Sequence, residues 1–416
     1  MARRVKRADD FLVAGRRLGP GLIASTFLAA NIGAGSTLGA TGLGYEHGWS
    51  AWWWVGCAGI GSLILANTVG PKIWTLAANK GWRTVGDFLD DRFGRPVRGL
   101  VAALLWIATL MILAGQLFAI SQILAVVAGT PVWAGCSIGA LIVSAYFVAG
   151  GLYSSAWVNM IQMTVKLVGF AIAIPVAIAA IGGWSSLDVA AHATTPLTAK
   201  QVIEYIAVIV PSFIISPGLI QKLYGAKDAR TVRVGVSWNA AVLLLYAFAP
   251  AILGIIGHAR FPNIPSEQAL PKVMVALMPP WLGVLTIAAI FSAELSASDA
   301  VLFMLASSLS VDLFKTFLKP QATDRQVLLV GRLAAFGGAI VAVLIAIQLG
   351  SIITALTIFY TVMAAALTAP LIVGLYSCRA TMRRAIFSII VSVAVTALTR
   401  SGLWGTLTGF VIMLLP

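Results

Sequence analysis

Long apolar stretches, separated from one another by short polar segments, repeat along the whole 416-residue chain. Several are longer than the roughly 20 residues that an α-helix needs to cross a bilayer. This pattern predicts about a dozen membrane-spanning helices, numbered here as spans 1 to 12. In chain order they cover residues 20–45, 50–76, 97–128, 131–148, 156–181, 201–223, 231–256, 280–317, 326–349, 352–377, 385–398 and 403–415. Shorter amphipathic stretches at 84–93 and 264–278 lie between spans.

The charged residues are few, and their distribution orients the chain. Only 10% of residues are charged, against about 25% in soluble proteins. The net charge of +14 comes from Lys and Arg residues in short loops, which is how membrane proteins are oriented and gives no reason to expect nucleic-acid binding. This distribution of Lys and Arg predicts a multi-pass protein of the cytoplasmic membrane, with a basic segment 1–19 and the loops at 72–98 and 222–233 in the cytoplasm.

Two spans contain residues that interrupt a helix at mid-membrane depth. Span 1 carries three glycines among small polar residues in 31–39, and span 6 carries Pro211, Pro217 and Gly218. Broken helices at matching positions of two halves indicate a substrate site at the midplane. We therefore predict breaks near 31–35 and 216–218. The predicted halves are two five-helix repeats of inverted topology, 20–182 and 201–377, followed by two helices in 385–415. The alternative is that these glycines and prolines only permit close packing.

Span 8 carries two carboxylates, Glu294 and Asp299, in the middle of an apolar run. Intramembrane acids are expensive to bury and mark functional sites by default. Ser292, Ser296 and Asp299 share one face of the helix and offer the oxygen ligands that a hard cation prefers. Glu294 points away from this face. The alternative to a functional role is that an acid in this span forms a structural pair with a cation such as Lys166.

Five motifs, taken together and in this order, resemble the sodium/solute symporter family. They read FLVAGRRLGP at 11–20, TVGDFLDDRFG at 84–94, GGLYSSAWVNMIQ at 150–162, QKLYGAKD at 221–228, and the serine motif of span 8 that ends in DLFK at 312–315. The resemblance implies an all-α, LeuT-type 5+5 inverted-repeat bundle with two additional C-terminal helices. Members usually carry one more helix before residue 11, and we expect it to be absent here.

The resemblance also implies a sodium site between spans 1 and 8. Its ligands would be the carbonyls of Ala29, Ile32 and Ala293 and the hydroxyl of Ser296, and we expect Asp299 to provide negative charge nearby. Relatives often have a second hydroxyl directly after this serine, where this chain has Ala297.

The predicted function is sodium-coupled symport of a small polar solute by alternating access. The partners are then that solute and the bilayer, and we expect no nucleic acid and no obligate protein partner. Two alternatives remain open: proton coupling through Asp299 or Glu294, and a sensor that keeps the fold without transport. An enzyme is not expected, because the chain shows no nucleophile–base or metal motif. The candidate solute-binding residues are Asn31, Gly35, Ser36, Gln116, Ser216 and Tyr360.

Overall fold

Helices make up most of the chain that the computed structural model describes, namely residues 14–149, 152–377 and 380–415. The predicted basic segment 1–19 therefore lies largely outside the described residues. The helices, in chain order, are α1 (Pro20–Asn31), α2 (Ala40–His47), α3 (Trp52–Asn67), α4 (Val69–Lys80), α5 (Val85–Phe93), α6 (Arg95–Ala128), α7 (Val132–Ala149), α8 (Leu152–Ala180), α9 (Trp184–His192), α10 (Ala199–Ile215), α11 (Pro217–Leu223), α12 (Ala229–Tyr246), α13 (Phe248–Arg260), α14 (Ala269–Ala276), α15 (Pro280–Ser307), α16 (Asp324–Leu349), α17 (Ile352–Tyr376), α18 (Met382–Thr399) and α19 (Gly402–Leu414).

Nine helical stretches of the described residues are long and apolar enough to cross a membrane, fewer than the predicted dozen. The difference lies in spans 1, 4 and 12. Span 1 is broken into α1 and α2, with a π-helical turn at Gly35–Gly39 before α2. The apolar helix Gly402–Leu414, in span 12, is shorter, and in span 4 the described side chains form a continuous run only over Val132–Ala145 of α7. Span 8 continues beyond α15 as a π-helical segment, Ser308–Leu318.

Both predicted helix breaks are confirmed. α1 ends at Asn31, and α10 and α11 are separated by Ser216, whose backbone (φ −50°, ψ 120°) is not helical. α1 packs against α8, α12 and α15, so the break in span 1 is surrounded by protein. In a membrane such irregular backbone is tolerated only where protein buries it or where it lines a cavity.

The chain before α1 and two loops meet on one face of the bundle, which we call the basic face. Leu18 pairs with the loop after α11. Its N–H donates to the carbonyl of Gly225 at 2.9 Å, and its carbonyl accepts from the N–H of Lys227 at 3.1 Å. Arg16 donates to the carbonyl of Trp82, after α4, at 2.8 Å. These contacts put three segments that the charge pattern assigns to one side on the same face of the fold.

Two side-chain caps fix helix starts at the basic face. Thr84 and Asp87 form a capping box at the start of α5, the predicted amphipathic stretch. Asp228 caps α12 by accepting from the backbone N–H of Thr231 at 2.6 Å, and this bond lowers the pKa of the Asp228 carboxyl. These caps position the loops next to the helices described below.

Candidate functional site

Side-chain hydrogen bonds stabilise the break in span 1. The hydroxyl of Ser36 donates to the carbonyl of Asn31 at 2.6 Å and accepts from the N–H of Gly33 at 3.1 Å. The N–H of Ala34 donates to Gln116 Oε1, in α6, at 2.9 Å. Backbone groups that a continuous helix would pair internally are therefore satisfied by side chains. Two of the predicted solute-binding residues, Ser36 and Gln116, thus have a structural role in holding this break.

The break in span 6 follows from its second proline. Pro217 has no N–H to donate, and it begins α11 directly after the non-helical Ser216. One turn before the break, the hydroxyl of Ser212 donates to the carbonyl of Tyr360, in α17, at 3.1 Å. This bond fixes the end of α10 against α17 at the level of the break.

Between the two breaks lies a cavity with two adjoining regions, one larger than the other, which share five lining residues. The residues that line both regions are Ala30, Asn31, Ile112, Phe213 and Tyr360. Every predicted solute-binding residue lines one region or both: Asn31, Gly35, Ser36, Gln116, Ser216 and Tyr360. The structure brings these residues together, and their contact with a solute stays a prediction.

An aromatic cluster lines the cavity. Trp54 packs edge-to-face on Tyr205, with ring centroids 5.2 Å apart. Tyr360 lies at the centre, 5.7 Å from the ring of Phe213 and 5.3 Å from that of Phe359. These rings bury a large apolar area and give the cavity an aromatic wall.

Lys222 is a cavity residue that the sequence analysis did not identify. The charge pattern assigns it to the cytoplasmic segment 222–233, whereas the structure buries it in α11, 5% exposed, where it lines the larger region of the cavity. Asp299, in α15, attracts its ammonium. The sequence signal was the helix break itself, because the segment after Pro217 continues inside the protein as a short helix.

The five predicted sodium-site residues are all buried at or near the contact between α1 and α15, and they are Ala29, Ile32, Ala293, Ser296 and Asp299. The predicted ligand position next to Ser296 contains the side-chain amine of Lys166, from α8. Lys166 Nζ lies 2.6 Å from Ser296 Oγ and 3.4 Å from the carbonyl oxygen of Ile32. The hydroxyl hydrogen of Ser296 is donated to the carbonyl of Ala293 at 2.9 Å.

The oxygens of Ile32 and Ser296 are arranged as partners of the Lys166 amine. In this arrangement they fit a sodium ion less well than they fit the amine. Two of the four predicted ligand oxygens face Lys166 Nζ, and a third accepts the hydrogen of Ser296. A second cation at the same oxygens would be repelled by the amine at contact distance. Ile32, Ala293 and Ser296 are therefore brought together beside the Lys166 amine, and their binding of sodium stays a prediction.

The acid nearest this cluster is different from the predicted one. Glu294 attracts Lys166, and Glu294 Oε1 accepts a hydrogen bond of 2.6 Å from the hydroxyl of Thr37. Asp299, predicted to supply the negative charge, instead attracts Lys222. Asp299 shares a face with Ser296 but lies three residues further along α15, about 4.5 Å by helical rise, where it attracts Lys222 from α11. The alternative of a Glu294–Lys166 pair stays a prediction, which the burial of both side chains and their mutual attraction support.

A second polar cluster lies at the basic face and joins two of the motifs that carry the family resemblance. The guanidinium of Arg98, at the start of α6, lies 2.9 Å from Asp87, 3.3 Å from Asp90 and 2.8 Å from Asp312. The hydroxyl of Thr84 also donates to Asp312, at 2.7 Å. The cluster therefore links α5, α6 and the π-helical end of span 8.

Comparison with known proteins identifies similar sequences along almost the whole chain. A model of the sodium:solute symporter family matches residues 11–392. The sodium/glucose cotransporter of Vibrio parahaemolyticus is 24% identical over 93% of this chain and 78% of its own length. The sodium/proline symporter of Escherichia coli (strain K12) is 23% identical over 83% of this chain and 72% of its own length.

Two solved structures establish the fold. A Na⁺-coupled sialic acid symporter in a substrate-bound outward-open state matches with a TM-score of 0.84 and 18% identity, over 99% of this chain and 92% of its own. Mhp1, a nucleobase-cation-symport-1 family transporter, matches with a TM-score of 0.66 and 15% identity, over 98% and 93%. The predicted LeuT-type helix bundle is confirmed, and the 5+5 repeat is consistent with it.

Proposed function

Since the chain belongs to the sodium:solute symporter family, we propose that the cavity between its broken helices binds a small polar solute bearing a carboxylate. Membership confirms the predicted sodium-coupled symport by a multi-pass membrane protein that moves a small molecule. Alternating access then comes from movement of the two repeats, 20–182 and 201–377, around the cavity.

One observation carries the choice of solute. Among the described residues that line the cavity, Lys222 is the single charged side chain. Asp299 attracts this ammonium from α15, and a solute carboxylate would be a second acceptor for its hydrogens, through charge-assisted hydrogen bonds that an uncharged solute makes less strongly. Asn31, Ser216 and Tyr360 line the same space.

The named relatives support a solute of this size and leave its charge to be tested. Glucose is uncharged, whereas proline carries a carboxylate, and the corresponding transporters are about equally similar to this chain, at 24% and 23% identity. Lys222 distinguishes the two classes on physical grounds, because a carboxylate accepts charge-assisted hydrogen bonds that a sugar hydroxyl makes less strongly.

Uptake into proteoliposomes tests the proposal. With an inward sodium gradient, we expect accumulation of a carboxylate-bearing solute from a panel of amino acids, organic acids and sugars, and loss of accumulation when potassium replaces sodium. Exclusive uptake of uncharged sugars would contradict the carboxylate assignment. Absence of any sodium-driven uptake across a broad panel would count against the transport function itself.

Lys222→Gln is expected to raise the half-saturating concentration of the accumulated carboxylate at least tenfold, about 1.4 kcal/mol, by removing the positive charge. Uptake assays of the variant and the wild type at equal amounts of protein measure the change. The same substitution at Lys200, which is exposed at the start of α10, is the matched control. An unchanged half-saturating concentration in Lys222→Gln would show that this ammonium does not contact the solute.

We also propose that the protein lies in the cell membrane with its basic face in the cytoplasm. This follows from the excess of Lys and Arg on that face. Single cysteines at positions 80 and 227 should be protected from a membrane-impermeant maleimide in intact cells and become labelled after the membrane is permeabilised. Labelling of both positions in intact cells would reverse the orientation.

A further inference from the structure

We infer that the Lys166 ammonium is a tethered cation of the site between α1 and α15, so that sodium binds there only when this amine leaves. Lys166 is then a specificity-determining residue, which sets how strongly the site competes for sodium. The inference rests on the sodium coupling of the family and is independent of which solute the cavity binds.

The first argument is the position of the amine. Lys166 is 0% exposed, and its Nζ reaches the oxygens of Ser296 and Ile32, which are two of the predicted sodium ligands. It approaches from α8, a helix that packs on both α1 and α15. The side chain therefore ends at the seam between these two helices, where an ion would have to bind.

The second argument is the balance of charge. The charged or titratable groups near this seam are Lys166 from α8, Glu294 from α15 and the phenol of Tyr246 from α12. α1 contributes backbone, the π-helical turn before α2 contributes Thr37, and Asp299, further along α15, attracts Lys222. Lys166 and Glu294 together carry no net charge, whether their shared proton is on the amine or on the carboxyl, and both are fully buried. A sodium ion added to this pair would leave one uncompensated positive charge, which the interior disfavours.

The third argument is the composition of the ligand set. The position after Ser296 is Ala297, which has no oxygen to offer, and the hydroxyl hydrogen of Ser296 already satisfies the carbonyl of Ala293. A sodium ion would have to rebuild several oxygen contacts at once, whereas an ammonium needs only acceptors for its hydrogens. The oxygens that are present provide the acceptors that an ammonium needs.

The experiment measures sodium binding to purified protein without solute, at constant pH, by the sodium-dependent rise in thermal unfolding temperature, with choline as the control cation. For Lys166→Met, we expect the half-saturating sodium concentration to fall at least tenfold below that of the wild type. Adding Ser296→Ala to this variant should reverse the gain, which locates the ion at this seam. Lys200→Met removes an exposed ammonium at the start of α10, outside both sites, and should leave the sodium affinity at the wild-type value.

Because Lys166→Met leaves the buried Glu294 without its partner, Lys166→Met/Glu294→Gln is measured in parallel as a neutral pair. The inference is overturned if neither variant binds sodium more tightly than the wild type, or if Ser296→Ala leaves the gain intact. Because no solute is present, these outcomes are separate from failure of the proposed transport, which the uptake assay reports.

Discussion

Replacement of Arg98 by methionine is expected to lower the free energy of unfolding by about 3–5 kcal/mol, the cost of removing one partner from a buried ion pair. The Arg98 side chain is 8% exposed, and that of Asp312 is 11% exposed. Without the guanidinium, the hydroxyl of Thr84 would be the one remaining side-chain donor to Asp312 among the described residues, and three carboxylates would face one another. Thermal unfolding in detergent should show a much lower midpoint.

Two variants separate the buried charge from a general loss of charge. Arg98→Met/Asp312→Asn removes both members of the closest pair, and we expect it to recover part of the lost stability. Lys80→Met breaks an ion pair with Asp91 whose side chains are 47% and 39% exposed, and such pairs contribute about 0–1 kcal/mol. If Arg98→Met unfolds at the same temperature as Lys80→Met, the cluster does not stabilise the basic face.

Gly33→Ala is expected to abolish most sodium-driven uptake, because the break in span 1 has no room for a side chain at this position. A Cβ on Gly33 would lie 2.3 Å from Ala297 Cβ and 3.0 Å from Gln116 Oε1. Overpacking of this kind costs about 1–3 kcal/mol and shifts the backbone. Here the shift would separate α1 from α15 at the level of the cation site. Uptake and the amount of folded protein are measured together.

The chain offers both a matched control and a rescue for this prediction. Gly337→Ala makes the same substitution in α16 where nothing lies within 4 Å, so its uptake should be normal. Gly33→Ala/Ala297→Gly moves the methyl group from one helix to the other and should restore much of the activity. Normal uptake by Gly33→Ala alone would mean that the two helices do not need their close contact.

The sequence predicted the helix breaks and the cavity because both depend on local chemistry. Pro217 and the glycines of span 1 disrupt a helix wherever they stand, and residues next to a break necessarily face the same space. Ala297 shows the limit of this reasoning. As a sequence feature it was a missing ligand, whereas in the structure it is the small residue that lets α15 contact Gly33.

The roles of the two buried lysines could not be predicted in the same way. Lys222 is at the very end of span 6, where a lysine usually reaches the membrane surface. Only the turn at Ser216 decides that it lies inside the protein. Lys166 was noted within its span, but its contact with Ser296 depends on how α8 packs against two helices distant in sequence. Periodicity defines the face of a helix and leaves open which neighbour that face meets.

The amine of Lys166 differs from a dissolved ion in one respect that matters for a transporter, because it cannot be diluted. A group on a short tether has an effective concentration on the order of millimolar or more at its site, whatever the medium contains. When external sodium falls far below that level, an ordinary ion site empties and its carbonyls lose their partner. The seam between α1 and α15 would instead keep the Lys166 amine bound to Ser296 and Ile32. This part of the bundle should therefore stay equally well packed at low and at high sodium concentration.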